Sequence, residues 1–212
     1  KYILKQAARE WLPNEIIGRI VRSPHHYAKV INIDTSKAEA LPGVIAVATG
    51  DDAPNRFGVL PVTKDEHAMA VEKVRHVGDL VACVAAVDEA TAREAVALIE
   101  VEYEVLDSIH DMKKGLEDVD EPIHWRGKYH VGSTNVQKRV FQEFGDRSMV
   151  ENPNAMYHGK WKYMGVNHGF TEPHAVVAHW DSNGRLQLYT PQQVPHYVHR
   201  ALATVLDVPM HQ

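Results

Sequence analysis

The sequence predicts an α+β fold built from two modules, on three observations. Residues 79–87, DLVACVAAV, form an almost wholly apolar run bounded by Gly78 and Asp88, as expected of a strand buried on both faces. Residues 100–106, EVEYEVL, alternate strictly, with Val101, Tyr103 and Val105 set against Glu100, Glu102 and Glu104; this is a half-buried strand with an acidic, solvated outer face. Residues 187–209 read as strand, turn and helix. In that helix Val198, Ala201, Leu202 and Val205 fall at i, i+3, i+4 and i+7, one apolar stripe.

The other elements follow in order. Residues 1–15 are an N-terminal segment, helical over 4–11 and ended by Pro13-Asn14. Residues 16–22, IIGRIVR, and 28–34, AKVINID, are strand candidates separated by Ser23-Pro24-His25-His26. Thr35 or Ser36 caps a short helix over 37–41 that Pro42-Gly43 terminates. Residues 44–49, VIAVAT, are an apolar strand leading into a capped turn at Gly50-Asp51-Asp52. Residues 57–61 are an apolar loop or short strand, and 64–67 are charged and expected to be exposed. Helix 89–99 places Ala92, Ala95, Val96 and Ile99 on one face.

Residues 111–150 contain a charged stretch and a Gly/Ser/Asn-rich run at 127–135, expected to act as a linker lying across another surface. Residues 140–144 add a strand or one helical turn. Strands are then expected at 157–163, 175–180 and 185–190, the last two joined by a hairpin turn at Asp181-Ser182-Asn183-Gly184, since Asn-Gly favours tight hairpins. The organisation is therefore a segment 1–15, a first domain 16–110, a linker 111–150 and a second unit 151–212.

Composition excludes several classes. The 212 residues carry a formal net charge of −5, which argues against a nucleic-acid backbone partner. There is no run of about 18 apolar residues, so no membrane span is expected. The N-terminus is too polar for a secretory signal, and the chain opens on Lys1 rather than Met, so a processed or incomplete chain is expected. The one cysteine, Cys83, precludes an internal disulfide, points to a reducing, cytoplasmic home and reads as a small core hydrophobe. A single thiol builds no iron–sulfur cluster. Fourteen histidines form no zinc signature: His196 and His199 are i, i+3 rather than the i, i+4 pair of an HExxH site. No GxGxxG, Walker or GxSxG motif is present.

The candidate site is the start of the last helix. Pro195 suits a first helical position, and free N–H groups at a helix start face an anion, a polar ligand or water. Gln192 and Gln193 sit at that mouth with amides able to donate and accept. The alternative is a surface turn that meets only water.

Three stretches carry a resemblance: GRIVRSPHHYAK at 18–29, IDTSKAEALPGVIAVATG at 33–50 and VGDLVACVAAVDEATAREAVALIEVEYEVL at 77–106. Together they resemble the α/β hammerhead domain of the xanthine dehydrogenase/aldehyde oxidase family. HGFTEPHA at 168–175 and residues 188–209 resemble the start of that family's molybdopterin-binding domain. Segments 57–61 and 193–199 are similar to its 4-hydroxybenzoyl-CoA reductase branch. The resemblance implies a molybdenum–pterin cofactor, in cytosine dinucleotide form, and partner polypeptides carrying [2Fe–2S] clusters and FAD. It implies that Gln193 matches the glutamine hydrogen-bonded to an oxygen ligand of the metal. Glu172 and His168, on a strand leading to the pocket, take supporting roles. No catalytic base is expected in this chain, because the family's base and its GGGFG stretch belong beyond residue 212; the chain is a fragment or one piece of a split enzyme. The expected function is a component of a hydroxylase or reductase acting on an aromatic thioester, an N-heterocycle or an aldehyde. An assembly module shaping the substrate funnel and a stand-alone small-molecule binding domain are the alternatives. The isolated chain is expected to bind no molybdenum and to be inactive.

Overall fold

The computed structural model describes residues 14–60, 62–146, 148–151, 155 and 157–212; the helix expected over 4–11 lies outside them. The first domain pairs two three-stranded antiparallel sheets. One has the order β1 (Ile17–Arg22), β5 (Leu80–Ala86), β3 (Val44–Thr49). The other has the order β4 (Lys73–Val74), β2 (Ala28–Asp34), β6 (Glu100–Val105).

The apolar run at 79–87 becomes the central strand β5, and its two faces do different things. Ala82, Val84 and Ala86 pack with Ala38 of α1 (Ser36–Glu39) and with Ala92 and Ala95 of α2 (Glu89–Leu98). Val81 points the other way, into a second cluster with Ala28, Ala70 and Val74. Val21, Ile33 and Val101 touch both clusters and tie the sheets together. Cys83 lies on the less covered face and is half-buried rather than a core residue; burial raises its thiol pKa.

Caps set the helix starts. Asp88 accepts the Thr91 N–H at 2.8 Å, and that bond holds its carboxyl below the usual range. At α1, Thr35 occupies the cap position without capping: its hydroxyl goes to Glu39 at 2.6 Å. Asp34 supplies the acceptor instead, taking both the Ser36 N–H and hydroxyl. The Thr49–Asp52 capping box forms as expected around a 3₁₀ turn, Gly50–Asp52. Gly50 is required there, because a Cβ would lie 2.7 Å from the Ala70 carbonyl oxygen. The outer glutamates of β6 are partly neutralised, Glu104 by Lys29 and Glu100 by Lys37.

In the charged segment 64–67, Lys64 and Glu66 meet the expected exposure and Asp65 departs from it. Asp65 is 3% exposed. It accepts the Trp125 N–H at 2.7 Å and faces His124 Nδ1 at 3.3 Å and Arg75 Nη2 at 3.5 Å. Arg75 Nε also donates to the Ile123 carbonyl, and Lys73 pairs with Glu121. Residues 121–125 therefore lie across the first domain as a strap. The stretch 111–151 that contains them is otherwise irregular, apart from one 3₁₀ turn, Lys114–Leu116, and after residue 137 a four-residue helix α3 (Ser148–Glu151). Residues 140–144 form neither a strand nor a helical turn, and 157–163 form no strand. Alternation alone does not hold a strand without a partner to bond, and none is paired with 157–163 among the described residues.

Burial works to raise the Asp65 carboxyl, but the Trp125 N–H, His124 and Arg75 outweigh it, and the net shift is downward. Its stabilising contribution is therefore complete above the ordinary aspartate pKa of 3.8 and disappears as the pH falls through the lower native value. Asp65→Asn is expected to cost about 1–3 kcal/mol by turning a donor toward donors. Urea titration of both proteins, near neutrality and again below the native pKa, checks it; the gap between them should close at acid pH.

Candidate functional site

The C-terminal part of the chain carries a hairpin, β7 (Val177–Trp180) and β8 (Leu186–Tyr189), in the register Val177↔Tyr189 to Trp180↔Leu186. Its turn is fixed by Asp181, whose carboxylate accepts the Asn183 and Arg185 N–H groups at 2.9 Å each. The Arg185 N–H bond is the main cause of its depressed pKa. Gly184 takes a φ of +74°, as an Asn-Gly turn requires.

Helix α4 (Pro195–Val205) follows, with Pro195 in its first turn as expected. Its apolar stripe and the inward face of β8 leave a groove of about 290 Å³ between them. Leu186, Leu188 and Thr190 form one wall, and Val198, Leu202 and Leu206 the other. The chain then returns beside β8, with the Leu186 N–H donating to the Gln212 carbonyl at 2.7 Å and His199 Nε2 meeting the Met210 carbonyl at 2.6 Å. Asp207 adopts φ +53° to end the helix, and the Val208 N–H closes on the Ala203 carbonyl.

The two glutamines part company at the helix mouth. Both are exposed; Gln192 lines the groove, whereas Gln193 lies in the turn just before the Val194 cap and does not. The mouth also offers fewer free amides than the sequence suggests. Pro195 has no N–H, and the Tyr197 N–H turns back to the Val194 carbonyl at 3.0 Å. His168 and Glu172 are exposed and stand in irregular chain, not on a strand. Between them Phe170 stacks on His174 with ring centroids 4.8 Å apart and planes 13° from parallel. The structure thus brings Gln192, Pro195 and His199 to one groove and leaves His168 and Glu172 apart from it. Among the described residues no cluster of three or more His, Cys, Asp or Glu could hold a metal ion, and no helix is long and apolar enough to cross a membrane.

Residues 8–107 match the aldehyde oxidase and xanthine dehydrogenase a/b hammerhead domain, and residues 130–212 match the molybdopterin cofactor-binding domain. The chain belongs to the xanthine dehydrogenase/aldehyde oxidase family, as the hammerhead domain and the start of the molybdopterin-binding domain of its large subunit. It is 33% identical to the nicotinate dehydrogenase large molybdopterin subunit of Eubacterium barkeri, across 97% of this chain and 47% of that protein. Among solved structures, Cu,Mo-CO dehydrogenase superposes with a TM-score of 0.72 at 28% identity, covering 94% of this chain and 27% of that one. Quinoline 2-oxidoreductase from Pseudomonas Putida 86 also reaches 0.72, at 26% identity, covering 99% of this chain and 28% of that one. The chain spans about half, or less, of the length of these relatives.

Asp207 sits where glycine relieves a left-handed backbone and beside the negative end of the α4 dipole. Asp207→Gly is therefore expected to stabilise the chain by about 0.5–1 kcal/mol, read as a raised thermal unfolding midpoint.

Proposed function

We propose that the chain is a component of a molybdenum–pterin oxidoreductase of the hydroxylase type, acting in the cytoplasm on an N-heteroaromatic ring. The observation that carries the reading is the order of the two domains on one polypeptide, hammerhead at 8–107 and cofactor-binding at 130–212. The nicotinate and quinoline enzymes among its relatives favour the substrate class. Similarity of segments 57–61 and 193–199 to 4-hydroxybenzoyl-CoA reductases adds an aromatic thioester to the substrates worth assaying, and the wider family adds aldehydes.

The residues present fit such a cofactor. A metal ligated by a pterin asks the protein for neutral hydrogen-bond donors rather than for thiolates or imidazoles. The Gln192-Gln193 turn presents two exposed amides at a helix start, and a neutral amide can both donate to and accept from a polar edge. In this reading Gln193 holds the cofactor's polar edge, while Gln192 and the β8 wall orient what lies beside it. When bound, the pterin-held molybdenum supplies the redox chemistry, and the protein supplies position and electrostatics. Its dinucleotide is the cytosine form. Electrons pass to [2Fe–2S] and FAD groups on partner polypeptides.

Two measurements test this. Purified alone, the chain should carry no stoichiometric molybdenum by mass spectrometry; purified with its partner polypeptides it should carry about one per complex and reduce a dye with an N-heteroaromatic substrate. A metal-free, inactive complex would refute the proposal. In the active complex, Gln193→Ala should lower kcat/KM by roughly 10–100-fold, the range for groups that orient a metal's surroundings, and Gln193→Glu should lower it at least as much.

A further inference from the structure

Residues 122–142 hold four basic side chains, Arg126, Lys128, Lys138 and Arg139, and no Asp or Glu, in a chain whose formal net charge is −5. A reverse turn brings two of them, Lys128 and Lys138, to one ring. The Val131 N–H donates to the Val136 carbonyl at 2.9 Å, and the Thr134 hydroxyl braces the turn by donating to the Val131 carbonyl at 2.8 Å and accepting the Val136 N–H at 3.0 Å. Lys128 and Lys138 consequently share one ring: their Nζ atoms stand 5.5 and 5.0 Å from the centroid of the exposed Tyr129.

Like charges drawn to one ring repel unless an anion lies near. At three other lysines the protein supplies one. Lys29, Lys37 and Lys73 each pair with a glutamate. Among the described residues no carboxylate pairs with Lys128, Lys138 or Arg139. Arg126 is spent on the Val119 and Asp120 carbonyls, which fixes it at the base of the turn. Directly after the cations come Phe141 and Phe144, 83% and 87% exposed, with Glu143 between them as the one carboxylate of the stretch 126–144. A small anion would explain the lysines alone; cations adjoining exposed aromatics are the composition of a protein interface.

We propose that residues 126–144 form the docking surface for an acidic segment of a partner polypeptide, whose carboxylates settle over Lys128 and Lys138 while its apolar side chains cover Phe141 and Phe144. This rests on the multi-subunit reading above.

The test uses the complex purified with its partner polypeptides. A water-soluble carbodiimide joins a lysine amine to a carboxylate already in contact, releasing water to the reagent, and mass spectrometry identifies the joined peptides. Lys128 or Lys138 should be found amide-linked to an Asp or Glu of another polypeptide. The double substitution K128E/K138E should slow association at low salt by about tenfold or more, and K128R/K138R should leave it intact. Links from these lysines only to residues 117–121 of the same chain, or a charge reversal without effect, would overturn the proposal. So would release of the partner by polyphosphate under conditions where polyglutamate releases none, which assigns the patch to a phosphate ligand. Molybdenum measured on the same preparation separates the two readings. A metal-free, inactive complex removes the oxidoreductase assignment; a loaded complex cross-linked elsewhere removes only the docking surface.

Discussion

The first domain depends on one constraint: β5 has two apolar faces, and each must be covered. A single sheet with helices on one side would leave Val81 in water. The second sheet answers that, and residues shared by both clusters, Val21, Ile33 and Val101, lock the layers together. Helix α2 is placed by the same demand, since its buried residues are the ones that meet Ala82, Val84 and Ala86. Strand order follows as well: β5 is central and bonds β1 on one edge and β3 on the other.

A second constraint is electrostatic and joins distant parts of the chain. Burying the Asp65 carboxylate is costly unless donors converge on it, and the donors come from Arg75 and from the strap at His124 and Trp125. The requirement runs both ways. The carboxylate needs the strap, and the strap, which has little regular structure, needs the carboxylate to hold its course. The reverse turn that displays Lys128 and Lys138 lies just beyond this tie, so its position is inherited from it.

Periodicity made much of this legible. The run at 79–87, the alternation at 100–106, the Asn-Gly hairpin and the α4 stripe each carry a local signature that survives folding. The resemblance to the xanthine dehydrogenase/aldehyde oxidase family rests on the same stretches. What the sequence hid was pairing. Asp65 sits in a run of charged residues, and its backbone donor at Trp125 is sixty residues away. Strand β4 is only two residues long and exists because β2 has an edge to fill. At 157–163 the opposite error arises, because alternation is present without a strand to bond. The two glutamines show a finer limit: spacing puts both at a helix start and both are exposed, but the turn geometry brings only Gln192 to the groove wall.

The contact between β5 and its helices is made largely of methyl groups, for Ala38, Ala82, Ala86, Ala92 and Ala95 are all fully buried. An alanine has no rotamer to surrender on folding, so this seam orders without a side-chain entropy penalty and has no alternative packing to visit. It is also closed to drift: any bulkier residue must lift a helix off the sheet, whereas the half-open face around Cys83 has room to vary. Within β5, room for a bulkier side chain therefore lies on the Cys83 face.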